Sequence, residues 1–382
     1  MQARGSPERR ACFILPAHCG YCAPPNRQKG YSHLEGQRHP RPTVRPGGDI
    51  LTDKERNILK NLLTGNIRFA EFAITNRCVA KCSFCDIWKQ QPKVTSDREK
   101  SLQVIDNLAE MGVSHITLTG GEPLLHPNIV EFAERCTQRN VHCSVLDAAP
   151  KLITDDKLAG LDRAGCDMIS ISFDSDDPAV LEASRNIPGI MQDMEIAVAK
   201  IKQTKMKSMA SILIWNNNHD RMEQMFQRAT EMGFDLISVN YPTFSESGVY
   251  PLGGEGISLS RDLVISSLES CIALKKSRKY NIVNTVASME NIINYLRDPE
   301  TARFPCFGGY RVMFVDWFFD VRPCMQLPNV LGNMLTMKSE DLKKVPCNAC
   351  NMSWYRDFSI LFCGISSLPA YREVLASVGD VF

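Results

Sequence analysis

From Arg68 onward six short β-rich runs alternate with helical patterns, and that alternation constrains the fold more than any other feature of the chain. The runs are Phe69 to Thr75, His115 to Thr119, His142 to Leu146, Met168 to Phe173, Ser208 to Ile214 and Leu236 to Asn240. Between them apolar residues recur three and four apart, as in Leu102, Ile105, Leu108 and Met111, or in Met222, Met225, Phe226, Ala229 and Met232. This is the spacing of a helix with one buried face. Ser96 with Glu99 has capping-box spacing, and Gly112, Gly165 and Gly233 stand where a helix wants a left-handed terminal residue. Strands each followed by a covering helix, with right-handed crossovers, build a parallel sheet with helices outside. Six units fall short of the eight of a closed barrel, leaving a partial (β/α)6 TIM-like barrel or an open doubly wound sheet. In both, reactive groups belong at the carboxyl ends of the strands.

The 382 residues suffice for one large α/β domain with an appendage. With 44% apolar residues, 23% charged residues and a net charge of +1, the chain has no global field to attract nucleic acid or anionic membrane. No apolar stretch approaches the roughly 18 residues needed to cross a bilayer, and Cys12-Phe13-Ile14-Leu15 is cut off by Pro16. The expectation is a cytoplasmic protein with no membrane span. Composition divides the chain into a Pro-, Gly- and Arg-rich leader at 1–50, expected to be disordered, an N-terminal helical segment at 51–66 closing one barrel end, and the barrel at 67–258. A helical connector at 259–302, a small α+β domain at 303–356 and a tail at 357–382 complete it.

Fifteen cysteines in so long a chain are not the framework of a small disulfide scaffold. Cys136, Cys143, Cys166 and Cys271 lie inside apolar periodic segments and read as core residues. Cys78-x3-Cys82-x2-Cys85 differs, because it follows the first strand after only Asn76 and Arg77. Three thiolates are one too few for a closed site, so an iron cluster there keeps an open coordination position. Zinc would need a fourth ligand, and the nearest candidates, Asp86 and His115, are respectively adjacent to the loop and at the wrong strand end. The second strand runs into Gly120-Gly121-Glu122-Pro123, where small residues permit close approach to a ligand and a carboxylate can accept from an ammonium group. Ser170, Ser172 and Asp174 alternate on one face at the end of the fourth strand and suit ribose hydroxyls. Asn216 and Tyr241 face the same end, and Cys19-Gly-Tyr-Cys22 in the leader has ligand spacing without a structured setting.

Near the C-terminus Cys306, Cys324, Cys347 and Cys350 are spaced C-x17-C-x22-C-x2-C around a hairpin pattern, Tyr310 to Val315 and Phe318 to Val321, turning at Asp316-Trp317. Four thiolates make a closed site for a second four-iron cluster or for zinc.

Together Cys78-x3-Cys82-x-Phe84-Cys85, read as CxxxCxφC, and the Gly-Gly-Glu-Pro turn one unit later resemble the radical S-adenosylmethionine (SAM) superfamily over about Arg68 to Tyr355. The resemblance implies a SAM-binding 4Fe-4S cluster on Cys78, Cys82 and Cys85. It also implies a methionine amino group held at Gly120, Gly121, Glu122 and Pro123, and cofactor contacts from Ser172, Asp174 and Asn216. The implied activity is reductive cleavage of SAM to a 5'-deoxyadenosyl radical that abstracts hydrogen from a substrate, with electrons from a donor such as flavodoxin or ferredoxin. The C-terminal cysteines are similar to those of SPASM and twitch domains, which implies a second 4Fe-4S cluster and a net oxidation or bond formation. Cys363 comes too late for the longer SPASM series, and Asp147 stands where similar proteins carry a Thr-Asn-Gly turn, so it has no assigned role. The substrate is a small molecule or a peptide. A cyclase like the molybdopterin-precursor enzyme and a non-catalytic iron-sulfur or zinc scaffold are the alternatives.

Overall fold

The structure, a computed structural model, describes residues 51–242, 249, 257–300, 304–345, 347, 352–363 and 368–378. The expected leader, Cys19, Cys22 and Cys350 lie outside the described residues. In chain order the elements are α1 (Asp53–Leu63), β1 (Arg68–Ala73), α2 (Arg98–Glu110), β2 (Val113–Thr119), α3 (Ile129–Gln138), β3 (His142–Asp147), α4 (Asp155–Arg163), β4 (Met168–Ser172), α5 (Pro178–Arg185) and α6 (Ile190–Ile201). They continue with β5 (Lys207–Leu213), α7 (Met222–Met232), β6 (Leu236–Asn240), α8 (Arg261–Ser277), α9 (Val286–Arg297), β7 (Val312–Val315), β8 (Asp320–Arg322), β9 (Gly332–Asn333), α10 (Ser353–Ile360) and α11 (Leu368–Val378).

All six expected barrel strands form, each within two residues of its expected ends. They pair in parallel in the order β6-β5-β4-β3-β2-β1, with helices between successive strands. The result is a mixed α/β partial barrel whose sheet does not close. Thr52 caps α1, accepting from the Glu55 N–H at 3.2 Å. At α2 the cap is Asp97, accepting from the Lys100 N–H at 3.0 Å, and not Ser96. The Ser96 hydroxyl lies within 2.8 Å of Ser101 Oγ, so a buried side-chain contact takes it from the capping role.

The two sheet faces differ in chemistry. Ala70, Phe72, Ile116, Leu118, Cys143, Val145, Ile169, Ile171, Ala210 and Ile212 enter the main core. The intervening residues Glu71, Thr117, Ser144, Ser170, Ser172, Ser211 and Asn240 occupy the opposite, concave face. Parallel strands covered on both sides are usually apolar throughout. A polar concave face suits a barrel that encloses a polar ligand.

The C-terminal segment joins this sheet instead of standing apart. β7 pairs in parallel with β1, setting Phe69 against Val312 and Glu71 against Phe314, while β8 and β9 follow antiparallel. A domain boundary at residue 303 therefore cuts across a single nine-stranded sheet. Sequence periodicity identifies the hairpin but carries no information on the strand it docks against. Opposite it, α10 packs against both β6 and β7. Ser353 Oγ donates to Asn240 Oδ1 at 2.5 Å, and the Phe358 ring lies 4.0 Å from that of Phe69. The other barrel end is closed by α1, where Lys54 Nζ reaches Asp167 Oδ2 at 2.6 Å. Among the described residues no helix is long and apolar enough to cross a membrane.

Candidate active site

The cysteine loop leaves the carboxyl end of β1 and is pinned to the last turn of α5. The Lys81 N–H donates to Arg185 O at 3.0 Å and the Ser83 N–H to Ser184 O at 2.9 Å. This brings Cys78, Cys82 and Cys85 together around a small apolar cluster with Ala80, Phe84 and Trp215. Phe314 and Trp317 of the C-terminal hairpin pack with Ala73 and Ile87 against Cys78 and Cys85 from the other side.

Arg185, unnoticed in the sequence, organises the loop. Its guanidinium contacts Cys82 Sγ at 3.7 Å, pairs with Asp174 and lies 5.6 Å from the centre of the Phe84 ring. Asp174 is 1% exposed, and its second oxygen accepts from the Leu213 N–H at 3.1 Å. Both its oxygens are engaged by the protein, one of them holding Arg185 against the thiol. The only sequence hint was an acid and a base eleven residues apart around a Pro-initiated helix, and the chain reversal that joins them is not legible there.

Burial pushes the Cys78 thiol up to about 12, with the Glu122 carboxylate adding to the rise, and pushes Cys85 up to about 11. Cys82 is raised by burial as well, with Arg185 opposing. Buried thiols of this kind ionise only beside compensating positive charge. Three thiols and one guanidinium around an enclosed loop fit an iron cluster as the source of that charge.

The Gly-Gly-Glu-Pro turn lies against the stem of the loop. The Gly121 N–H donates to Thr75 O and the Glu122 N–H to Arg77 O, each at 2.8 Å. A Cβ on Gly120 would stand 2.3 Å from Thr75 O, and one on Gly121 2.3 Å from Arg77 O. The glycines thus let two backbones meet, where the sequence suggested approach to a ligand. Glu122 is fully buried and accepts from the Leu124 N–H at 3.0 Å and the Ala148 N–H at 2.8 Å. Asp147 faces it and accepts from the Ala149 N–H at 3.1 Å. Burial raises both acids; Asp147 adds to the rise at Glu122, whereas the hydrogen bond with Glu122 lowers Asp147. Pro123, also buried, opens the short turn that follows.

The remaining candidates divide. Ser172 Oγ donates to Asp147 O at 3.2 Å, joining β4 to this carboxyl pair. Asn216 is engaged elsewhere: its amide donates to Ser258 Oγ at 3.2 Å and accepts from the Ser258 N–H at 3.0 Å, in exposed surroundings. It ties the loop after β5 to the approach to α8.

At the second site Cys306, Cys324 and Cys347 line one cavity of about 100 Å³, together with Gly308, Met352 and Tyr355. The Gly308 N–H donates to Cys306 Sγ at 3.3 Å. A Cβ on Gly308 would stand 2.7 Å from Pro323 O and 3.2 Å from that sulfur. Cys363 is buried away from this lining, its thiol 3.8 Å from Ser359 O. Among the described residues no three Cys, His, Asp or Glu side chains are close enough to share one metal ion.

With the fold and site in place, comparison with known proteins gives the class. Residues 72–229 match the family model of the Radical SAM superfamily, so this stretch is a radical SAM domain. The chain is 24% identical over 245 residues to PqqA peptide cyclase of Gluconobacter oxydans (strain 621H), covering 64% of this chain and 65% of that protein. It is 29% identical over 159 residues to GTP 3',8-cyclase of Limosilactobacillus fermentum (strain NBRC 3956 / LMG 18251), covering 40% and 48%. The chain thus spans less than two thirds of the length of these relatives. Among solved structures, Streptococcus suis SuiB bound to S-adenosylmethionine superposes with a TM-score of 0.58 at 14% identity, covering 74% of this chain and 68% of SuiB. Native anSMEcpe with bound AdoMet and Cp18Cys peptide gives 0.56 at 13% identity, covering 82% and 97%. These likenesses establish the shared barrel fold.

Proposed function

We propose that this protein is a radical SAM enzyme that removes a hydrogen atom from a peptide substrate, with Cys78, Cys82 and Cys85 holding the SAM-binding cluster and a second cluster held by Cys306, Cys324, Cys347 and Cys350. The observation carrying this reading is the three-thiol loop at the carboxyl end of β1 with the buried Glu122 beside it. When bound, a cluster with one open iron supplies the electron that splits SAM into methionine and a hydrogen-abstracting 5'-deoxyadenosyl radical.

The chain's own residues do the rest. Arg185 offsets thiolate charge at Cys82, and Asp174 fixes its position. Glu122 is the acceptor assigned here to the cofactor's ammonium group. Ser172, bonded to the Asp147 carbonyl, lies on the ribose side. Phe314, Trp317 and α10 exclude water from the open flank of the barrel, as radical chemistry requires.

At the second site the likeness to radical SAM proteins favours an iron-sulfur cluster over zinc, with Cys306, Cys324 and Cys347 lining one cavity. A peptide is favoured by names among the relatives, which include PqqA peptide cyclase, SuiB bound to precursor peptide SuiA, and anSMEcpe with Cp18Cys peptide. A GTP-cyclase-like second cluster on three cysteines is the other reading, suggested by the GTP 3',8-cyclase among the relatives. Iron counts on Cys350→Ser separate them, since only a four-cysteine site loses iron.

The test is anaerobic reconstitution followed by dithionite and SAM. Formation of 5'-deoxyadenosine, lost in Cys82→Ser, is expected. Protein that holds about eight irons per chain yet yields none overturns the reading in favour of a non-catalytic scaffold.

A further inference from the structure

Glu71 lies in the middle of β1 and has no place in the machinery described so far. Its strand neighbours Ala70 and Phe72 enter the core beneath the helices, so its own side chain belongs to the concave face. Laterally it is in register with Thr117 on β2 and Phe314 on β7. Glu71 is 5% exposed, its Oε2 has no hydrogen-bond partner, and it joins no ion pair among the described residues. Burial pushes its pKa up to about 8, with no basic side chain countering the rise. The adjacent Thr117 hydroxyl is occupied, lying 3.0 Å from Ser144 Oγ and 3.2 Å from His115 Nε2. On the same face, Ser170 is 3% exposed and its Oγ also lacks a partner.

Leaving a buried polar atom unpaired costs about 1–3 kcal/mol, and a chain that carries two on one concave face gains from a ligand that satisfies them. Position indicates which ligand. Ala73 and Thr119, one side-chain layer above Glu71 and Thr117, lead directly into the cysteine loop and the Gly-Gly-Glu-Pro turn. Two residues of strand span roughly 7 Å. A substrate held with a C–H bond at the cofactor seat therefore extends down to Glu71.

We infer that Glu71 forms a substrate subsite inside the barrel for a cationic nitrogen, an ammonium or guanidinium group. This deepens the proposed function and rests on it. The substrate cation supplies the charge that the protein withholds from Glu71.

The test uses the anaerobically reconstituted full chain with SAM and two probes, acetyl-Gly-Lys-Gly-amide and acetyl-Gly-norleucine-Gly-amide, which differ by one ammonium group. Calorimetry on the wild type is expected to show the lysine peptide binding at least about tenfold tighter, the scale of a charge-assisted hydrogen bond. In Glu71→Gln, which keeps the shape and loses the charge, the two peptides are expected to bind within about twofold of each other. Glu71→Leu is expected to raise the melting temperature, since it removes an unpaired buried acid. A lysine preference that survives in Glu71→Gln, equal binding or no binding of either peptide by the wild type, or a lower melting temperature for Glu71→Leu each overturns the subsite. Wild-type 5'-deoxyadenosine formation is measured alongside. Its absence sinks the enzyme reading, whereas its presence without a lysine preference sinks the subsite alone.

Discussion

Gly121→Ala adds a single methyl group at the point where the two halves of the candidate site touch. The new Cβ would lie 2.3 Å from Arg77 O, 2.7 Å from Arg77 C and 3.0 Å from Asn76 O. These are backbone atoms, which cannot swing aside as a flexible side chain does. Ordinary contact begins near 3.4 Å, so the turn and the loop stem must separate by about 1 Å. Overpacking of this kind costs roughly 1–3 kcal/mol. Separation also stretches the bonds from Gly121 N–H to Thr75 O and from Glu122 N–H to Arg77 O, each worth about 0.5–1.5 kcal/mol. The sum is about 2–6 kcal/mol, a large fraction of an ordinary stability of 5–15 kcal/mol. Because Arg77 precedes Cys78, the same shift displaces the first thiol. Denaturant titration and iron analysis of reconstituted protein read both effects, with lost stability and reduced iron expected. Gly189→Ala is the control: its φ is 71°, but a Cβ there meets nothing within 4 Å, so only about 1 kcal/mol of backbone strain and full iron are expected. A Gly121→Ala protein with wild-type stability and iron content would refute the argument that these glycines serve backbone contact.

Three further outcomes follow from the geometry. Arg185→Met leaves Asp174 buried without its cation and is expected to cost about 3–5 kcal/mol; adding Asp174→Asn should restore part of that, which a double-mutant denaturation cycle measures. Cys306→Ser and Cys324→Ser are each expected to lower iron from about eight to about four per chain, while Cys363→Ser, away from the cavity, should leave it unchanged. Glu71 has a folded pKa of about 8 against an ordinary 4.5, so the folded protein binds the extra proton between those values. Its stability is therefore full below about pH 4.5 and falls as pH rises toward 8, by on the order of a few kcal/mol relative to Glu71→Gln in urea titrations across that window.

Much of the fold was legible because the signals that fix it are local. Strand runs, helical spacing and terminal glycines lie within a dozen residues of one another, and the six barrel strands appear where those patterns put them. The cysteine loop was legible for the same reason, as three ligands and their strand are contiguous. What escaped depends on chain reversal. Arg185 meets Cys82 only because α5 returns its last turn to the loop, and Glu122 meets Asp147 only because β2 and β3 end side by side. Asp174 pairs with Arg185 and Asn216 with Ser258, partners that no local pattern reveals. The Ser96 cap failed at still shorter range, since the Ser101 hydroxyl engages Ser96 and Asp97 next door takes the capping role.

The docking of the C-terminal hairpin bears on how the two sites work together. Small domains joined by modest polar interfaces move relative to one another by default. Here β1 delivers the cysteine loop at its carboxyl end while its free edge takes β7 in parallel register. Cys306 precedes that strand, and Cys324 follows the β8 strand that pairs with it. Main-chain hydrogen bonds therefore run from the first site's strand to the second site's hairpin, with Phe314 and Trp317 packed against Cys78 and Cys85. Motion of one site against the other would require tearing the sheet at β1. A fixed separation suits the two clusters proposed for these sites, because the path between them would not depend on closure of a lid.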